Sequence, residues 1–336
     1  MIEAAPQESI RAPSLQPLLR SVAPDIEKVE GLLSSELRTD IALIPSIAGH
    51  LIAGGGKRIR VALLLGCANL MGYRGERHLL LASAIEFIHT ATLLHDDVVD
   101  CSDLRRGKPS AHILWGEPLA ISVGDYLLSR AFEILVDDGD LDIVRTVADA
   151  SAKIAAGEVV QLTARQNVEI SEDEYFQIIS AKTAALFEAS CAIAGLLPGG
   201  SREVSKAFGA FGQYLGIAFQ LVDDAMDYRS SSDRMGKSCG DDFRDGKITL
   251  PVLLAYARGS GADREFWRRV MTQDSRSEAE LTHANGLLRA SGALEETIER
   301  ARHYGSLAKN SLDRFEPGSQ RSALIEAVDF AAFRDF

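Results

Sequence analysis

Apolar side chains recur every three or four residues along nearly the whole chain, the spacing of one buried face of an α-helix. This pattern predicts helices over about residues 24–38, 42–53, 75–99, 119–136, 142–166, 171–196, 202–228, 248–256, 264–272, 278–290, 293–312 and 318–333, and a further helix opening at residues 57–60. No long stretch of the sequence alternates apolar and polar residues as a strand does. The predicted fold class is therefore all-α, a single-domain bundle of long helices.

The beginning of the chain lacks this periodicity. Residues 1–22 mix charged residues and prolines without a compact apolar run, so we expect a flexible N-terminal tail and not a signal peptide. Residues 23–336 contain no low-complexity tract or linker that would divide them. We therefore predict one helical domain over residues 23–336.

Two acidic clusters interrupt the most apolar helices: Asp96, Asp97 and Asp100, and later Asp223, Asp224 and Asp227. In each cluster the first and last aspartate are four residues apart and share a helix face, where like charges cost about a few tenths of a kcal/mol. A shared divalent cation would offset this repulsion. Mg²⁺ takes one or two carboxylates per ion and completes its shell with water and phosphate oxygens. The alternative is that each cluster caps or solvates a helix end, but two matching copies favour a metal.

Basic residues follow a strong helix stop made by three glycines at residues 54–56. Lys57 and Arg60 open the next helix, where positive charge opposes the helix dipole. An anion held by these side chains and by free backbone N–H groups would compensate, so a diphosphate site is favoured over a merely solvated charged segment. His89 lies two helical turns before Asp96, which favours a ligand contact over a structural histidine.

Two later pairs of residues are further candidates for anion binding. Arg105 and Arg106 follow the first acidic cluster, where they either form a salt bridge or give a diphosphate bidentate guanidinium contacts. Lys182 and Thr183 interrupt an apolar helix face, and a buried lysine needs an anionic partner. Residues 229–247 are rich in Ser, Gly and Asp and long enough for a mobile lid over a site.

Composition limits the partners and the compartment. The 336 residues carry a formal net charge of −12, which argues against a nucleic acid partner because phosphate binding needs a basic face. Phosphorylated small molecules stay possible because a local basic cluster can outweigh the net charge. The four cysteines are widely spaced without a CxxC pair, which predicts reduced thiols in the cytoplasm. No segment reaches the roughly 18 apolar residues of a membrane span.

These features together predict a reaction class. Two opposed acidic faces with basic groups at the rim would hold Mg²⁺ against the diphosphate of a substrate whose carbon tail points into an apolar interior. Loss of diphosphate leaves a carbocation, so water must be excluded. A second substrate would then offer its double bond as the nucleophile. The sequence suggests no Ser-His-Asp or Cys-His arrangement, and none is needed because diphosphate can accept the final proton.

Several motifs resemble those of the trans-type isoprenyl (polyprenyl) diphosphate synthases, from about residue 23 to the C-terminus. They are GGGKRIR (54–60), IEFIHTATLLHDDVVD (85–100), DLRRGKPSAH (103–112), VGDYLLSRAF (123–132), GEVVQL (157–162), KTAALFEA (182–189), YLGIAFQLVDDAMDY (214–228) and MGKSCGDDFRDGKITLP (235–251). The resemblance implies an isoprenoid synthase fold around a central cavity, Mg²⁺-dependent condensation of isopentenyl diphosphate onto an allylic diphosphate, and a cytoplasmic homodimer. A transient membrane contact is expected when the product leaves.

The resemblance also implies a role for each matching residue. It makes Asp96, Asp100 and Asp223 ligands of three Mg²⁺ ions, supported by Asp97, Asp224 and Asp227. Isopentenyl diphosphate would bind Lys57, Arg60, His89 and Arg106. The allylic diphosphate would bind Arg105, Lys182, Thr183, Gln220, Lys237 and Lys247. Asp96, Asp100, Asp223 and Lys182 would act in catalysis.

Product length and rival functions depend on particular positions. Ala91 and Thr92 lie about one turn before Asp96, where short-chain members of the family carry bulky aromatics that block the growing chain. We therefore expect octaprenyl to decaprenyl diphosphate, a quinone side-chain precursor; the alternative is a short-chain farnesyl or geranylgeranyl diphosphate synthase. A terpene cyclase, a non-catalytic partner subunit and a structural Ca²⁺ protein are further alternatives. The intact second acidic cluster and the absence of EF-hand spacing disfavour these three.

Overall fold

A computed structural model describes residues 13–52, 58–229, 240–273 and 275–332. The helices are α1 (Gln16–Glu36), α2 (Leu43–Ile52), α3 (Ile59–Leu70), α4 (Arg77–Val99), α5 (Ala111–Trp115), α6 (Glu117–Asp138), α7 (Leu141–Ala164), α8 (Glu172–Ile179), α9 (Ala185–Ala194), α10 (Arg202–Asp227), α11 (Asp241–Arg244), α12 (Leu250–Arg258), α13 (Gly261–Met271), α14 (Glu278–Ala290), α15 (Ala293–Ser311) and α16 (Ser319–Ala332). A π-helical turn, Ser180–Ala184, joins α8 to α9. No helix within these ranges is long and apolar enough to cross a lipid bilayer. The all-α prediction is confirmed.

Helix α10 connects two hydrophobic clusters. Its first half contributes Phe208 and Leu215 to a cluster built mainly with α1–α4, α6, α7, α9 and α16. Its second half contributes Leu221 to a cluster built mainly with α8 and α12–α15. Gly212 lets α10 approach α9 closely, because an added Cβ would stand 2.3 Å from the carbonyl oxygen of Phe187. The position of α10 is therefore set by packing on both sides.

Helix α4 is buried on almost all sides, because α1, α3 and α6 lie against it. Ser83 and Thr90 are buried within it, and their hydroxyls donate to backbone carbonyls four residues earlier at 3.1 and 2.8 Å. These internal hydrogen bonds satisfy polar groups that have no access to water. A helix packed in this way holds the aspartates of its last turn in a fixed position.

The first helix begins earlier than the sequence predicted. Helix α1 starts at Gln16, so the assignment of residues 16–22 to a flexible tail is wrong. Leu18 and Val22 are buried, at 1% and 0% exposure, and their packing extends the helix ahead of Pro24, which lies inside it. Residues 1–12 of the predicted tail lie outside the described residues. The extent of the domain otherwise stays a prediction.

Two local features differ from the predicted helices. Residues 104–109 form a hairpin of β1 (Leu104–Arg105) and β2 (Lys108–Pro109), the only strands in the described ranges. Arg106 and Gly107 turn it with φ of 54° and 75°, as the favoured two-residue hairpin turn requires. The single helix predicted over residues 171–196 is divided by the π-helical turn.

The predicted lid over residues 229–247 falls largely on residues 230–239, which lie outside the described residues.

Replacing Gly212 with alanine should lower the free energy of unfolding by about 1–3 kcal/mol, because the new methyl group must displace backbone between α9 and α10. The matched control is Gly286→Ala in α14, an exposed position where an added Cβ meets nothing within 4 Å. That change should increase the free energy of unfolding by about 0.5–1 kcal/mol. Urea unfolding of both variants measures the difference. Equal effects would contradict the packing described for α10.

Candidate active site

The C-terminal ends of α4 and α10 face one cavity of about 680 Å³. Asp96, Asp100 and Asp223 all line it, so the two acidic clusters meet across a shared space. Helix C-termini carry partial negative charge, and a carboxylate cannot accept a hydrogen bond from a terminal carbonyl. The capping explanation is therefore unfavourable at both helix ends. The basic residues of the cavity wall are Arg58, Arg60, Arg105, Arg106, Arg165, Lys182 and Lys247.

Lys182 has the anionic partner that the sequence predicted. Its Nζ lies 2.5 Å from Glu158 Oε2, donates to Gln161 Oε1 at 2.7 Å and lies 3.8 Å from Asp96 Oδ1. Burial raises the pKa of Asp96 to about 6, an effect that Lys182 opposes and Glu158 increases. The ammonium group therefore stands between two carboxylates at the edge of the first acidic cluster.

The π-helical turn presents Lys182 and its neighbour to the cavity. Gly157 in α7 and Gly216 in α10 flank the turn, and an added Cβ on either would stand 2.7 Å from atoms of Ala181 or Ala184. The two glycines thus allow α7 and α10 to pack directly on the turn. π-helical insertions of this kind are frequent at functional sites.

Asp100 is held by cations from two other segments. Lys247 Nζ lies 3.4 Å from Asp100 Oδ2, and Arg165 Nη2 lies 3.8 Å from Asp100 Oδ1. Burial alone would lower the pKa of Lys247, but Asp242, Asp100 and Asp245 raise it above its ordinary value. Lys247 is therefore a permanent positive charge beside the first acidic cluster.

The structure does not bring Asp97 to the cavity with its neighbours. Asp97 is 1% exposed, and its Oδ1 accepts a hydrogen bond from Arg105 Nε at 2.8 Å. It points away from Asp96 because adjacent residues of a helix face different directions. Arg105 lines the cavity and forms the salt bridge left open by the sequence. Asp97 is thus an anchor for Arg105, and the support of a metal predicted for Asp97 stays a prediction.

The members of the second acidic cluster have different surroundings. Both Asp223 and Asp224 line the cavity, but Asp223 is exposed, whereas Asp224 is 3% exposed and accepts from Tyr175 O–H at 2.5 Å and Gln220 Nε2 at 2.7 Å. Burial, with Asp242 nearby, raises the pKa of Asp224 well above its usual range. Gln220 Oε1 in turn accepts from Thr183 Oγ1 at 2.8 Å. This chain of hydrogen bonds fixes two of the residues predicted to bind an allylic diphosphate.

Asp227 faces α11. Its Oδ2 accepts from the backbone N–H of Asp242 at 3.0 Å, in the first turn of that short helix, where a negative charge is favourable. Asp227 does not line the cavity, but Asp242 does. The metal-ligand role predicted for Asp227 stays a prediction.

Two arginines of the cavity have no carboxylate ion pair in the described part of the chain. Arg60 lies 4.3 Å over the ring of Phe187, its Nη1 is 3.4 Å from His89 Nε2, and its buried Nε has no hydrogen-bond partner. Burial lowers the pKa of Arg60 to about 10, and burial with neighbouring Arg105 lowers that of Arg106. Arg60 is a desolvated guanidinium group and Arg106 is an exposed one. A guanidinium group without a carboxylate partner is suited to an incoming anion.

The apolar part of the wall includes Thr92 but not Ala91. Thr92 lines the cavity one turn before Asp96, whereas Ala91 is 2% exposed and packed beside it. The apolar wall also contains Ile59, Leu93, Leu162, Ile170, Ile178, Ile179, Phe219 and Ile248. Thr92, not Ala91, is therefore the position from which a larger side chain would enter the cavity directly.

Several site residues were not identified from the sequence, and two predicted ones cannot be placed. Lys57 and Lys237 lie outside the described residues. The additional residues are Arg58, Glu86, Glu158, Gln161, Arg165, Tyr175 and Asp242. Glu86 could have been identified from the sequence, since it is a charged residue within an apolar helix. Glu158 and Gln161 are three residues apart on one face of α7, but nothing local indicates that this face meets Lys182.

The carboxylates fit a hard divalent cation that also binds substrate. Asp96, Asp100 and Asp223 offer oxygen donors to one cavity. In the ranges that the structure describes, no three His, Cys, Asp or Glu side chains are grouped to hold an ion by themselves. Mg²⁺ matches this arrangement, because it takes few carboxylates and completes its shell with water and phosphate oxygens.

Comparison with known proteins gives one consistent result. Residues 41–288 match the sequence model of the family described as polyprenyl synthetase. The octaprenyl diphosphate synthase of Escherichia coli K12 is 38% identical over 322 residues, which cover 96% of this chain and 99% of that protein. A crystal structure of a polyprenyl synthase from Caulobacter crescentus CB15, complexed with calcium and isoprenyl diphosphate, has a TM-score of 0.92 at 43% identity and covers 96% of this chain and 99% of that one. A decaprenyl diphosphate synthase from Rhodobacter capsulatus has a TM-score of 0.91 at 42% identity, with the same coverage.

His89 should stay neutral at pH values at which an ordinary histidine becomes charged. Burial and the surrounding arginines, first among them Arg60, lower its pKa well below 6.5. The folded state then binds fewer protons than the unfolded state, so stability is fully present above about pH 6.5 and is lost as the pH falls toward the folded pKa. The measurement is urea unfolding of the wild type and His89→Gln between pH 7 and pH 5. The wild type should lose more stability, by about 1.4 kcal/mol for each pH unit below 6.5 down to the folded pKa; parallel curves would contradict this account.

Proposed function

The chain belongs to the polyprenyl synthetase family, and we propose that this cavity is where it condenses isopentenyl diphosphate with an allylic diphosphate. The enzyme is a prenyltransferase of the polyprenyl diphosphate synthase type, and its relatives include octaprenyl and decaprenyl diphosphate synthases. The product class is a long-chain all-trans polyprenyl diphosphate. One observation carries the assignment of the site: aspartates of both acidic clusters line the same cavity as Arg60 and Arg106, which have no carboxylate ion pair within the described ranges.

The two diphosphates are assigned to different walls of the cavity. Thr183 is hydrogen-bonded to Gln220, and the adjacent Lys182 lies 3.8 Å from Asp96, which supports binding of the allylic diphosphate on this side. Arg60 and Arg106 have no carboxylate ion pair in the described ranges, and Arg60 lies beside neutral His89, which supports binding of isopentenyl diphosphate on this side. Because both sets line one cavity, they would hold the double bond of one substrate close to the allylic carbon of the other in a fixed orientation.

Mg²⁺ is the cation that we assign to Asp96, Asp100 and Asp223, with three ions per site as a further prediction. When bound, it would neutralise the charge that develops on the departing diphosphate. Lys182 and Lys247 add fixed positive charge beside the first acidic cluster, where the leaving group collects. The apolar wall below excludes water from the allylic carbocation. The released diphosphate then accepts the proton lost in elimination.

A second copy of the chain is the partner that we propose for an exposed apolar surface. Outside the cavity, helices α5 to α7 expose the large apolar residues Ile113, Leu114, Leu119, Ile121, Val136, Leu141, Val159 and Val160. Apolar surfaces of this kind usually mark protein contacts, and a two-fold dimer is the commonest arrangement of identical chains. A homodimer would cover these residues. The cytoplasmic location and the transient membrane contact stay predictions.

Removal of one carboxylate should stop the reaction. Asp96→Asn keeps the shape of the side chain but removes a charge from the first acidic cluster, so turnover should fall by about 10²-fold or more. The assay supplies Mg²⁺, isopentenyl diphosphate and farnesyl diphosphate and separates the products by chromatography. The wild type should give linear long-chain diphosphates.

The matched control is Asp103→Asn, an exposed aspartate of the neighbouring hairpin region that should keep wild-type turnover. Circular dichroism should show unchanged helix content in both variants. A cyclic hydrocarbon from the wild type would indicate a terpene cyclase, and no turnover would indicate a binding or partner role. Near-normal activity of Asp96→Asn would refute the metal assignment.

Thr92→Phe should shorten the product. Thr92 lines the cavity one turn below Asp96, and an aromatic ring there would occupy space that the growing chain needs. Leu80→Phe on the same helix is the control, because Leu80 is 40% exposed and does not line the cavity. Chromatography of the dephosphorylated products should show shorter chains for Thr92→Phe alone. An unchanged length distribution would place the limit on chain growth elsewhere.

A further inference from the structure

Arg58 has an unusual backbone conformation at the start of α3. Its φ of 45° and ψ of 36° lie in the left-handed region, which residues other than glycine adopt only at a cost in free energy. It immediately precedes Ile59, the first residue of the helix that carries Arg60. Such a conformation persists only where the surroundings hold it in place, so the contacts of Arg58 must be strong.

The guanidinium group of Arg58 bridges two helices. It donates to the carbonyl oxygen of Ile52 at 2.8 Å, at the end of α2, and it donates to the carboxylate of Glu86 in α4. The planar guanidinium presents several donors in fixed directions, so one side chain can reach both acceptors at once. Arg58 thereby ties the end of α2 to the middle of α4.

Glu86 is a buried charge in the cavity wall. It is 5% exposed, and burial raises its pKa, while Arg58, Arg60 and Arg106 oppose the rise. Removing a carboxylate from water is costly unless it is paired and hydrogen-bonded. A negative charge beside Arg60 and Arg106 also weakens their attraction for an anion. Electrostatics alone therefore does not account for a glutamate at this position.

We propose that Glu86 is a positioning residue for the isopentenyl diphosphate side of the cavity. Through Arg58 it holds the start of α3 in its strained conformation, and so fixes where Arg60 meets the diphosphate. The inference rests on the proposed function, because the anion at Arg60 is taken to be isopentenyl diphosphate. It adds a residue that touches no substrate and acts through Arg58.

Glu86→Gln distinguishes a positioning role from a simple effect of negative charge, because the two roles predict opposite changes in the KM for isopentenyl diphosphate. If Glu86 only adds negative charge, its removal should lower the KM for isopentenyl diphosphate. If it positions Arg58, the KM for isopentenyl diphosphate should rise by about tenfold, while the KM for the allylic diphosphate changes little. Steady-state kinetics with each substrate varied in turn measures both values. An unchanged or lower KM for isopentenyl diphosphate overturns the proposal.

Asp138→Asn is the matched control. Asp138 is paired with Arg77 at the start of α4, with Nε to Oδ1 at 2.7 Å, and its side chain is 6% exposed, as is that of Glu86. This variant breaks a similar ion pair on the same helix but outside the cavity. It should lose stability without a change in either KM. An equal rise in the KM for isopentenyl diphosphate in Asp138→Asn would show a general effect of loosening α4 and would overturn the proposal.

Arg58→Lys provides a second test that does not depend on the folding of Glu86→Gln. Lysine keeps the positive charge but cannot donate to Ile52 and Glu86 at once as the planar guanidinium does. The substitution should therefore raise the KM for isopentenyl diphosphate as Glu86→Gln does. In the double variant the two effects should not add, because both remove the same contact. Additive effects, or a wild-type KM for Arg58→Lys, overturn the proposal. Calorimetric binding of isopentenyl diphosphate makes the same comparison without turnover, so a wild type that binds but does not react would refute the proposed function alone.

Discussion

The constraint on which the site depends is negative charge gathered at the C-terminal ends of two buried helices. Asp96 and Asp100 end α4, Asp223 lies in the last turns of α10, and the helix dipole opposes a carboxylate at each place. Burial raises the pKa of Asp96, which measures how poorly the surroundings solvate its charge. Such an arrangement is stable only with cations nearby. The cavity supplies lysines for this purpose and leaves space for a metal bound with substrate.

The remaining structure serves to keep these helix ends opposed. Packing on both faces sets the position of α10, and Gly212 and Gly216 let it approach α9 and the π-helical turn. Gly157 does the same for α7 from the other side. The turn between α8 and α9 then directs Lys182 toward Glu158 and Asp96. Glycines at the helix crossings and the π-helical turn together place Lys182 beside the first acidic cluster.

The cations of the cavity divide into two groups with different tasks. Lys182, Lys247 and Arg105 are paired with carboxylates, so they supply positive charge at the acidic clusters. Arg60 and Arg106 have no carboxylate ion pair in the ranges described, and burial lowers the pKa of both. The local field of the cavity therefore differs from the net charge of −12, which makes the proposed binding of two diphosphates compatible with an acidic chain. In the proposed function, the two groups of cations serve different substrates.

The sequence by itself determined the helices, the two acidic clusters and most of the basic residues, because helical periodicity and spacing are local properties. Spacing also placed Asp96 and Asp100 on one face. Only the tertiary structure decided that Asp97 anchors Arg105, that Asp227 contacts α11 and that Glu158 is the partner of Lys182. It also decided that α1 begins at Gln16, eight residues before the predicted start at residue 24, since Leu18 and Val22 are buried against the rest of the protein. These outcomes depend on which helix faces meet. Packing between residues distant in the sequence decides which faces meet, and the order of residues within one helix does not reveal it.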